Sequence, residues 1–491
     1  MATTTKPDHG LIYTLDDKPP FKSALLAAFQ HILASIVGVV TPSIIIGGVL
    51  ELGAYTPYLI AMGLFVSGVS TFIQCKTVGP IGSGLLSLQG TSFAFLGALL
   101  AAGFSVKGQG GTPEDILAML FGLCLAGCLV EIVLSQFIHK LDRIITPTVT
   151  GIVITVIGLS LIKVGFTDFA GGQQAGDALG SPVNLLLGSL VVASILTLTF
   201  RGSLMLRISA IMIGLLIGVV AAAVLGQVDF SNLGNSPFFA LPVPVRFGLD
   251  FDPFLFIPVA FIYLVTAIET SGDLTANSVI SGEPIKGELY MKRIKGGILG
   301  DGVNSGIAAL FNTFPNTTFS QNNGVIQMTG VASRHVGLYV AGLLVLMGFF
   351  PIFGSLFLLV PKPVLGGATV ILFGTIAVAG IRILATQEID KRKVYIMAIS
   401  FGLGLGVTLV PDSTQHMPDF LKQVVATPIT LAGMSAIVLS LLLPEEADAT
   451  AMASVKADPS SSQSAVTRVE SNDAGSATSA DVKEVSGTVP A

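Results

Sequence analysis

The chain has 491 residues, 52% of them hydrophobic and only 11% charged, with a formal net charge of −5 and a mean hydropathy of +0.81. A soluble domain carries about 25% charged residues, and a single hydrophobic core does not keep growing with chain length. A water-soluble protein is therefore excluded, a polytopic membrane protein is expected, and nucleic acid is not expected as a partner.

The chain starts MATTTKPDHGLIYTLDDKPPF. No apolar core precedes residue 23, so residues 1–22 read as a cytoplasmic N-terminal segment and not as a cleavable signal. Fourteen apolar stretches follow, at about 23–43, 55–75, 86–103, 115–137, 145–165, 183–200, 208–226, 253–275, 295–311, 322–333, 336–355, 363–382, 394–411 and 424–443. Apolar runs near 20 residues read as transmembrane helices. Two of these are weak. LSLQGTSFAFLGALLAAG (86–103) is polar in its first half, and 322–333 is too short and too polar to cross alone.

The basic residues argue that both weak stretches are needed. With both termini inside, the inner side carries seventeen Lys or Arg, including the runs Lys292–Lys295 and Lys391–Lys393, against five outside: Lys107, Lys163, Arg246, Lys362 and Lys422. This is the positive-inside bias, and dropping either weak stretch would flip every later loop. From Glu445 onward the composition turns to Ala, Ser, Asp and Val, which cannot bury enough to fold, so 445–491 reads as a disordered cytoplasmic tail.

Residues 147–165 and 363–380 share a Pro-x3-Gly-x6-Gly spacing: Pro147, Gly151 and Gly158 against Pro363, Gly367 and Gly374. They open the fifth and twelfth stretches, and the weak stretches are the third and tenth. Both pairs are seven apart, an odd offset that puts the two halves in opposite orientations. Interrupted apolar segments in matching positions of inverted halves point to a transporter binding site.

The second weak region begins earlier, in NTFPNTTFSQNNGVIQMTG (312–330), dense in amides and hydroxyls. Non-helical backbone survives at membrane depth only when buried in protein or lining a cavity. Residues 313–320 are predicted to be extended, with a half-helix over 322–333; residues 86–93 are the matching extended piece, with another half-helix after it. Two helix N-termini then converge, each with free N–H groups and partial positive charge. In the eighth stretch, Glu269 and Asp273 lie four apart on one helix face. Ionisable groups inside a span are costly and usually functional, and a carboxylate there can accept N–H groups of a solute or take a proton. Asp301 suits a proton-linked site or a structural tether; His31, a lone His in the first stretch, reads as a hydrogen-bonded packing residue. Phe93 stands at a break, where it could stack on an aromatic solute or simply pack. Cys75, Cys124 and Cys128 show no disulfide or zinc spacing and read as helix packing. No nucleophile–base pair, phosphate loop or dinucleotide fingerprint is visible; neither an enzyme, an ATP-driven pump nor a cofactor is expected.

QNNGVIQMTG, Gln321 to Gly330, resembles the signature of the nucleobase–ascorbate transporter family: Gln, Glu or Pro, then Asn, any residue, Gly, four of any, Thr, and Arg, Lys or Gly. Gln321, Asn322, Gly324, Thr329 and Gly330 all fit. QGTSFAF is similar to the family's Gln-first motif in the third span, and AIETSGDLTA to its acidic motif in the eighth. The resemblance spans about 20–445; within the family the stretch NTFPNTTFSQNNGVIQMTGVASRHVG is similar to that of bacterial xanthine and uric acid permeases, and uracil permeases carry Glu where this chain has Gln321.

The resemblance implies an all-α polytopic fold of fourteen spans in a seven-plus-seven inverted repeat. A core domain (23–138 and 251–357) would move against a gate domain (139–250 and 358–444) that often dimerises. It implies proton symport of a purine, xanthine or uric acid, across the inner membrane. Glu269 and Gln321 would bond the purine, Phe93, Phe319 and Ser320 would line the pocket, and Asn322 would support it. Asp273, Asp301 and His31, with Glu269, would tune affinity or proton coupling; Thr91, Ser92 and Gln89 would bear on selectivity. Another nucleobase such as uracil or hypoxanthine, or an anion carried by the same architecture, is the alternative.

Overall fold

A computed structural model describes residues 11–141, 146–228, 238–418, 421 and 425–444. The first ten residues, Arg143, Lys422 and the tail from Glu445 lie outside the described residues, as does the side chain of Lys140. The chain is mostly helical: α1 (Phe21–Val49), α2 (Thr56–Lys76), α3 (Leu96–Gly108), α4 (Pro113–Leu141), α5 (Pro147–Phe169), α6 (Pro182–Arg201), α7 (Leu204–Ile208), α8 (Ala210–Val224), α9 (Pro253–Ile280), α10 (Glu288–Leu310), α11 (Ser320–Thr329), α12 (Arg334–Gly348), α13 (Ile352–Leu358), α14 (Lys362–Ala385), α15 (Lys391–Leu409) and α16 (Pro428–Leu442).

Local chemistry places many of the starts. A proline occupies the first turn of α5, α6, α9, α14 and α16, where its fixed φ suits the helix and its missing N–H costs nothing. Thr146, Ser181, Asp252 and Asp390 cap α5, α6, α9 and α15 by accepting from the first free backbone N–H groups.

Eight described helices are long and apolar enough to cross a bilayer, or nine when α12 and α13 are counted as one. Each of the fourteen expected stretches holds a described helix, but α3, α8 and α16 are short and α11 has ten residues. The eleventh stretch, expected as one run over 336–355, bends by 83° between α12 and α13. Pro351 stands at that break and disfavours helix for the residue before it.

Glycine seams bring helices together. α5 packs antiparallel along α14: a methyl group at Gly158 would meet the Ala377 nitrogen at 2.3 Å, and one at Gly380 would meet the Thr155 nitrogen at 2.4 Å. Such approaches are the small-residue packing of membrane helices. The repeat glycines do not play equal parts, since Gly367 faces α6 and Gly374 has nothing within 4 Å of its would-be methyl. α5, α14, α15 and α16 pack mainly on one another, with α6 against α14 and α8, while α2 packs on α12 and α4 on α9 and α10.

Two short strands lie between. β1 (Gln89–Thr91) and β2 (Asn316–Thr318) pair antiparallel, with Gly90 opposite Thr317. Three residues per strand are too few to be stable alone; every residue of both strands is buried, so the surrounding helices supply the stability. The extended pieces fall where the sequence predicts them. The half-helix α11 begins at Ser320 and not at 322, and stops at Thr329, where Gly330 takes a left-handed cap at φ 68°. Residues 331–333 are not helical, and the N-terminal segment pairs along them and the first residue of α12: Ala332 N–H donates to Tyr13 O and Arg334 N–H to Leu15 O, and Arg334 contacts Asp16.

Candidate substrate-binding site

The pairing of β1 with β2 sets the site. It continues past the strands, as Ser92 N–H donates to Pro315 O (2.8 Å) and Phe319 N–H to Leu88 O (3.0 Å). Backbone that would be orphaned at this depth is thereby satisfied. The two chains then diverge into helix. Ser92 Oγ accepts from Ala94 N–H at the turn leading to α3, and Ser320 opens α11. Because the ladder is antiparallel, the two helix N-termini start from its opposite ends and face one another across it.

Between them lies a cavity of about 50 Å³ lined by Ser92, Phe93, Ala94, Glu269 and residues 317–321, with Ile157 of α5 and Ile376 of α14 closing it. Glu269 reaches it from α9. Among the described residues no Lys or Arg lines it. The Phe93 ring meets Phe373 of α14 edge-on at 5.6 Å, so it too stands at the contact between the strand-bearing helices and the α5–α14 pair. Two glycines crowd the tip and the Cε2 edge of the Phe319 ring: methyl groups at Gly90 and Gly38 would meet it at 2.3 and 2.9 Å.

Six of the predicted residues therefore share one cavity: Glu269, Gln321, Phe93, Phe319, Ser320 and Ser92. The others stand behind it. Asp301 is fully buried; its Oδ1 accepts from Gln74 Nε2 (2.8 Å) and its Oδ2 from the Thr270 hydroxyl, which in turn lies 3.4 Å from the Thr317 hydroxyl. Asp273 Oδ1 accepts from Asn323 Nδ2 at 2.8 Å. Asn277 Nδ2 donates to Asn323 Oδ1 and to Leu86 O, both at 2.8 Å, and Asn322 Nδ2 donates to the same Leu86 carbonyl at 2.6 Å. This amide ladder stitches α9, α11 and the chain entering β1. His31 lies beside Asn322, and neither of its ring nitrogens has a hydrogen-bond partner. Thr91 faces Gly63 of α2. Gln89 is buried, with its side-chain amide unpartnered.

Removing Asn323 tests the ladder. Asn323→Ala leaves an oxygen of Asp273 and a hydrogen of Asn277 unsatisfied, at roughly 1–3 kcal/mol. The purified protein is expected to melt several degrees lower; an unchanged melting curve would mean the ladder contributes nothing to stability.

Sequence reading missed Thr317, Thr318, Ala94, Ile157 and Ile376 as lining residues. The threonines lie inside the polar stretch and could have been taken with it. The isoleucines carry no signal, because an apolar residue facing a cavity and one facing lipid look alike in sequence. Glu131 was also missed. It lies within the apolar run CLVEIVLSQF, and an isolated acid in a span was signal enough.

Residues 22–413 match the model of a permease family that includes the nucleobase–ascorbate transporters. The chain is 45% identical to the xanthine permease XanP of Escherichia coli K12 over 441 residues, covering 89% of this chain and 95% of that protein. It is 44% identical to the xanthine permease XanQ of the same organism, covering 88% and 94%. The chain belongs to the nucleobase–ascorbate transporter family. This membership makes it a multi-pass membrane transporter and not an enzyme.

A putative purine permease of Clostridium perfringens is 36% identical over 89% of this chain and 93% of its own length. Among solved structures, the transmembrane domain of the cyanobacterial bicarbonate transporter BicA aligns with a TM-score of 0.54 at 17% identity, covering 86% of this chain and 99% of that one. The murine anion transporter Slc26a9 in its inward-facing state aligns at 0.58 and 12%, covering 87% and 69%. At these identities the likeness speaks for the fold alone.

Proposed function

We propose that this nucleobase–ascorbate transporter is a proton-coupled symporter that imports xanthine, with uric acid as the second candidate cargo. The observation that carries the reading is that Gln321 and Glu269, from elements far apart in sequence, line the same cavity. A Gln amide both donates and accepts, so it can pair with the N–H/C=O edge of an oxidised purine, while a carboxylate accepts only and suits N–H groups on another edge. Phe93 and Phe319 offer ring faces and edges to a flat heterocycle. The names of the relatives support the cargo class.

A volume of about 50 Å³ holds one or two waters, whereas small-molecule pockets run to roughly 300–1,000 Å³. The purine would therefore enter only when Ile157 and Ile376 draw away with α5 and α14. In this reading fourteen spans form two inverted sets of seven. Those at 23–138 and 251–357 form a core that slides against a gate at 139–250 and 358–444, giving alternating access. The gate also forms a homodimer, and both termini lie on the cytoplasmic side of a bacterial inner membrane.

The test is an uptake panel in cells lacking purine carriers: xanthine, urate, hypoxanthine, uracil and sulfate, each with and without a protonophore, plus direct competition between xanthine and urate. Saturable xanthine uptake that collapses with the protonophore is expected. Sulfate uptake would favour the anion reading suggested by the fold's other occupants, and protonophore-insensitive accumulation would remove symport.

A further inference from the structure

Glu131 of α4 is 1% exposed, and neither carboxyl oxygen has a hydrogen-bond partner. It does not line the substrate cavity. Its neighbours are set by a close helix crossing: methyl groups at Gly302 and Gly306 of α10 would meet Ile132 Cγ1 at 2.9 Å and Cys128 Sγ at 3.1 Å. The turn of α4 that carries Glu131 therefore packs on the turn of α10 that begins at Asp301. The titratable groups within electrostatic reach are Asp301 from α10, Glu269 and Tyr263 from α9, and Cys128 from its own helix. α3, which also packs on α4, carries Lys107 in its last turn, bound to Glu51.

Among the described residues no cation neutralises this group of acids. Asp301 has donors on both oxygens, the arrangement that an ionised carboxylate needs, while Glu131 has none. Tyr263 cannot supply one, since its hydroxyl already donates to Cys124 O at 2.8 Å. The Thr266 hydroxyl, on the facing side of α9, is close enough to Glu131 to turn toward it, but donates instead to Ile262 O or Tyr263 O, each at 3.2 Å. A buried acid with no hydrogen-bond partner among the described residues and an acidic neighbour is conspicuous, because an apolar residue of the same size would cost less. Two carboxyls that repel each other in this way can share protons as a pair.

We propose that Glu131 is a second proton-binding site, coupled to Asp301 across the α4–α10 contact and out of reach of the substrate. The inference rests on the symport reading above. The step is a proton association: one oxygen of Glu131 gains an O–H on loading and loses it on release, and no bond of the purine changes. While Asp301 stays ionised, a proton on Glu131 removes the repulsion between them. Occupancy of Glu131 then biases the charge state of Asp301 and, through Thr270 and Thr317, the strand that borders the cavity.

The test uses the full-length protein in liposomes. Glu131→Gln is expected to reduce proton-driven xanthine accumulation about tenfold, within the usual span of coupling between two sites. The pH midpoint of uptake should shift by about one unit. Counterflow of labelled against unlabelled xanthine at fixed pH, which needs no net proton movement, should stay close to wild type. If wild-type accumulation collapses with a protonophore yet Glu131→Gln matches it in accumulation and pH profile, the proposal is overturned. If wild-type accumulation ignores the protonophore, the symport reading has failed and this proposal with it. Should Glu131→Gln not fold, Glu131→Asp carries the test: it keeps a carboxyl but draws it back by one methylene, and an unmoved pH midpoint overturns the proposal.

Discussion

Glu269→Gln is expected to abolish accumulation of xanthine against a gradient. The substitution keeps the shape of the side chain and takes away two things. One oxygen becomes an NH2 group, which would confront a purine N–H donor with another donor. A buried mismatch of this kind costs roughly 1–3 kcal/mol, or five- to 150-fold in binding. An amide also cannot take a proton, so a loaded site and an empty site no longer differ in charge. Binding would weaken and coupling would vanish together. Glu269→Asp should be milder on the second count, since it retains the acid, and severe on the first, since the carboxyl withdraws from the cavity that Gln321 shares. Uptake of radiolabelled xanthine at several external concentrations separates the two losses. If Glu269→Gln accumulates xanthine at the wild-type rate, the role given to Glu269 is wrong.

Gly90→Ala is the second large effect, and it works through packing. The new methyl would lie 2.3 Å from Cζ of Phe319. The ring has little room to slide, because the Gly38 backbone already closes on its Cε2 edge, where a would-be methyl would lie at 2.9 Å. Overpacking of this kind costs about 1–3 kcal/mol, and the free space nearest to hand is the cavity itself. The ring is thus expected to move into the volume the purine needs, cutting xanthine uptake by more than about tenfold while the β1–β2 ladder, a backbone structure, persists. Gly374→Ala is the matched control: nothing lies within 4 Å of its would-be methyl, and transport should be unchanged. Immunoblots of the membrane fraction establish that both proteins are present. Wild-type uptake by Gly90→Ala would show that the ring is not confined as described.

Much of the candidate site was legible because its residues contradict their surroundings. Glu269, Asp273 and Asp301 are acids in apolar runs, and 86–93 and 313–320 are polar stretches where helices would need to be apolar. Their extended conformation follows from that composition, and the strands occur within both. The Pro-Gly spacing marked α5 and α14, which pack along each other. What could not be read is what those elements meet. Ile157 and Ile376 close the cavity yet differ in no way from lipid-facing isoleucines. The bend at Pro351 follows a proline that could equally have sat at the end of a straight helix. Nothing in the N-terminal segment announced a partner, but Tyr13, Leu15 and Asp16 are held by residues 330–334.

The sequence by itself determined the solvent: 11% charge over 491 residues leaves the chain no stable course but helices in a bilayer, and every polar interruption at that depth then needs a reason. Only the tertiary structure decided that the two interruptions answer one another. Backbone N–H and C=O groups unsatisfied in one segment are satisfied by the other, Gln89–Thr91 against Asn316–Thr318. That pairing, between segments more than half a domain apart in the chain, brings Gln321 to Glu269. Hydropathy and periodicity are local properties, whereas the partner of an orphaned hydrogen-bonding group is fixed by where the rest of the chain goes.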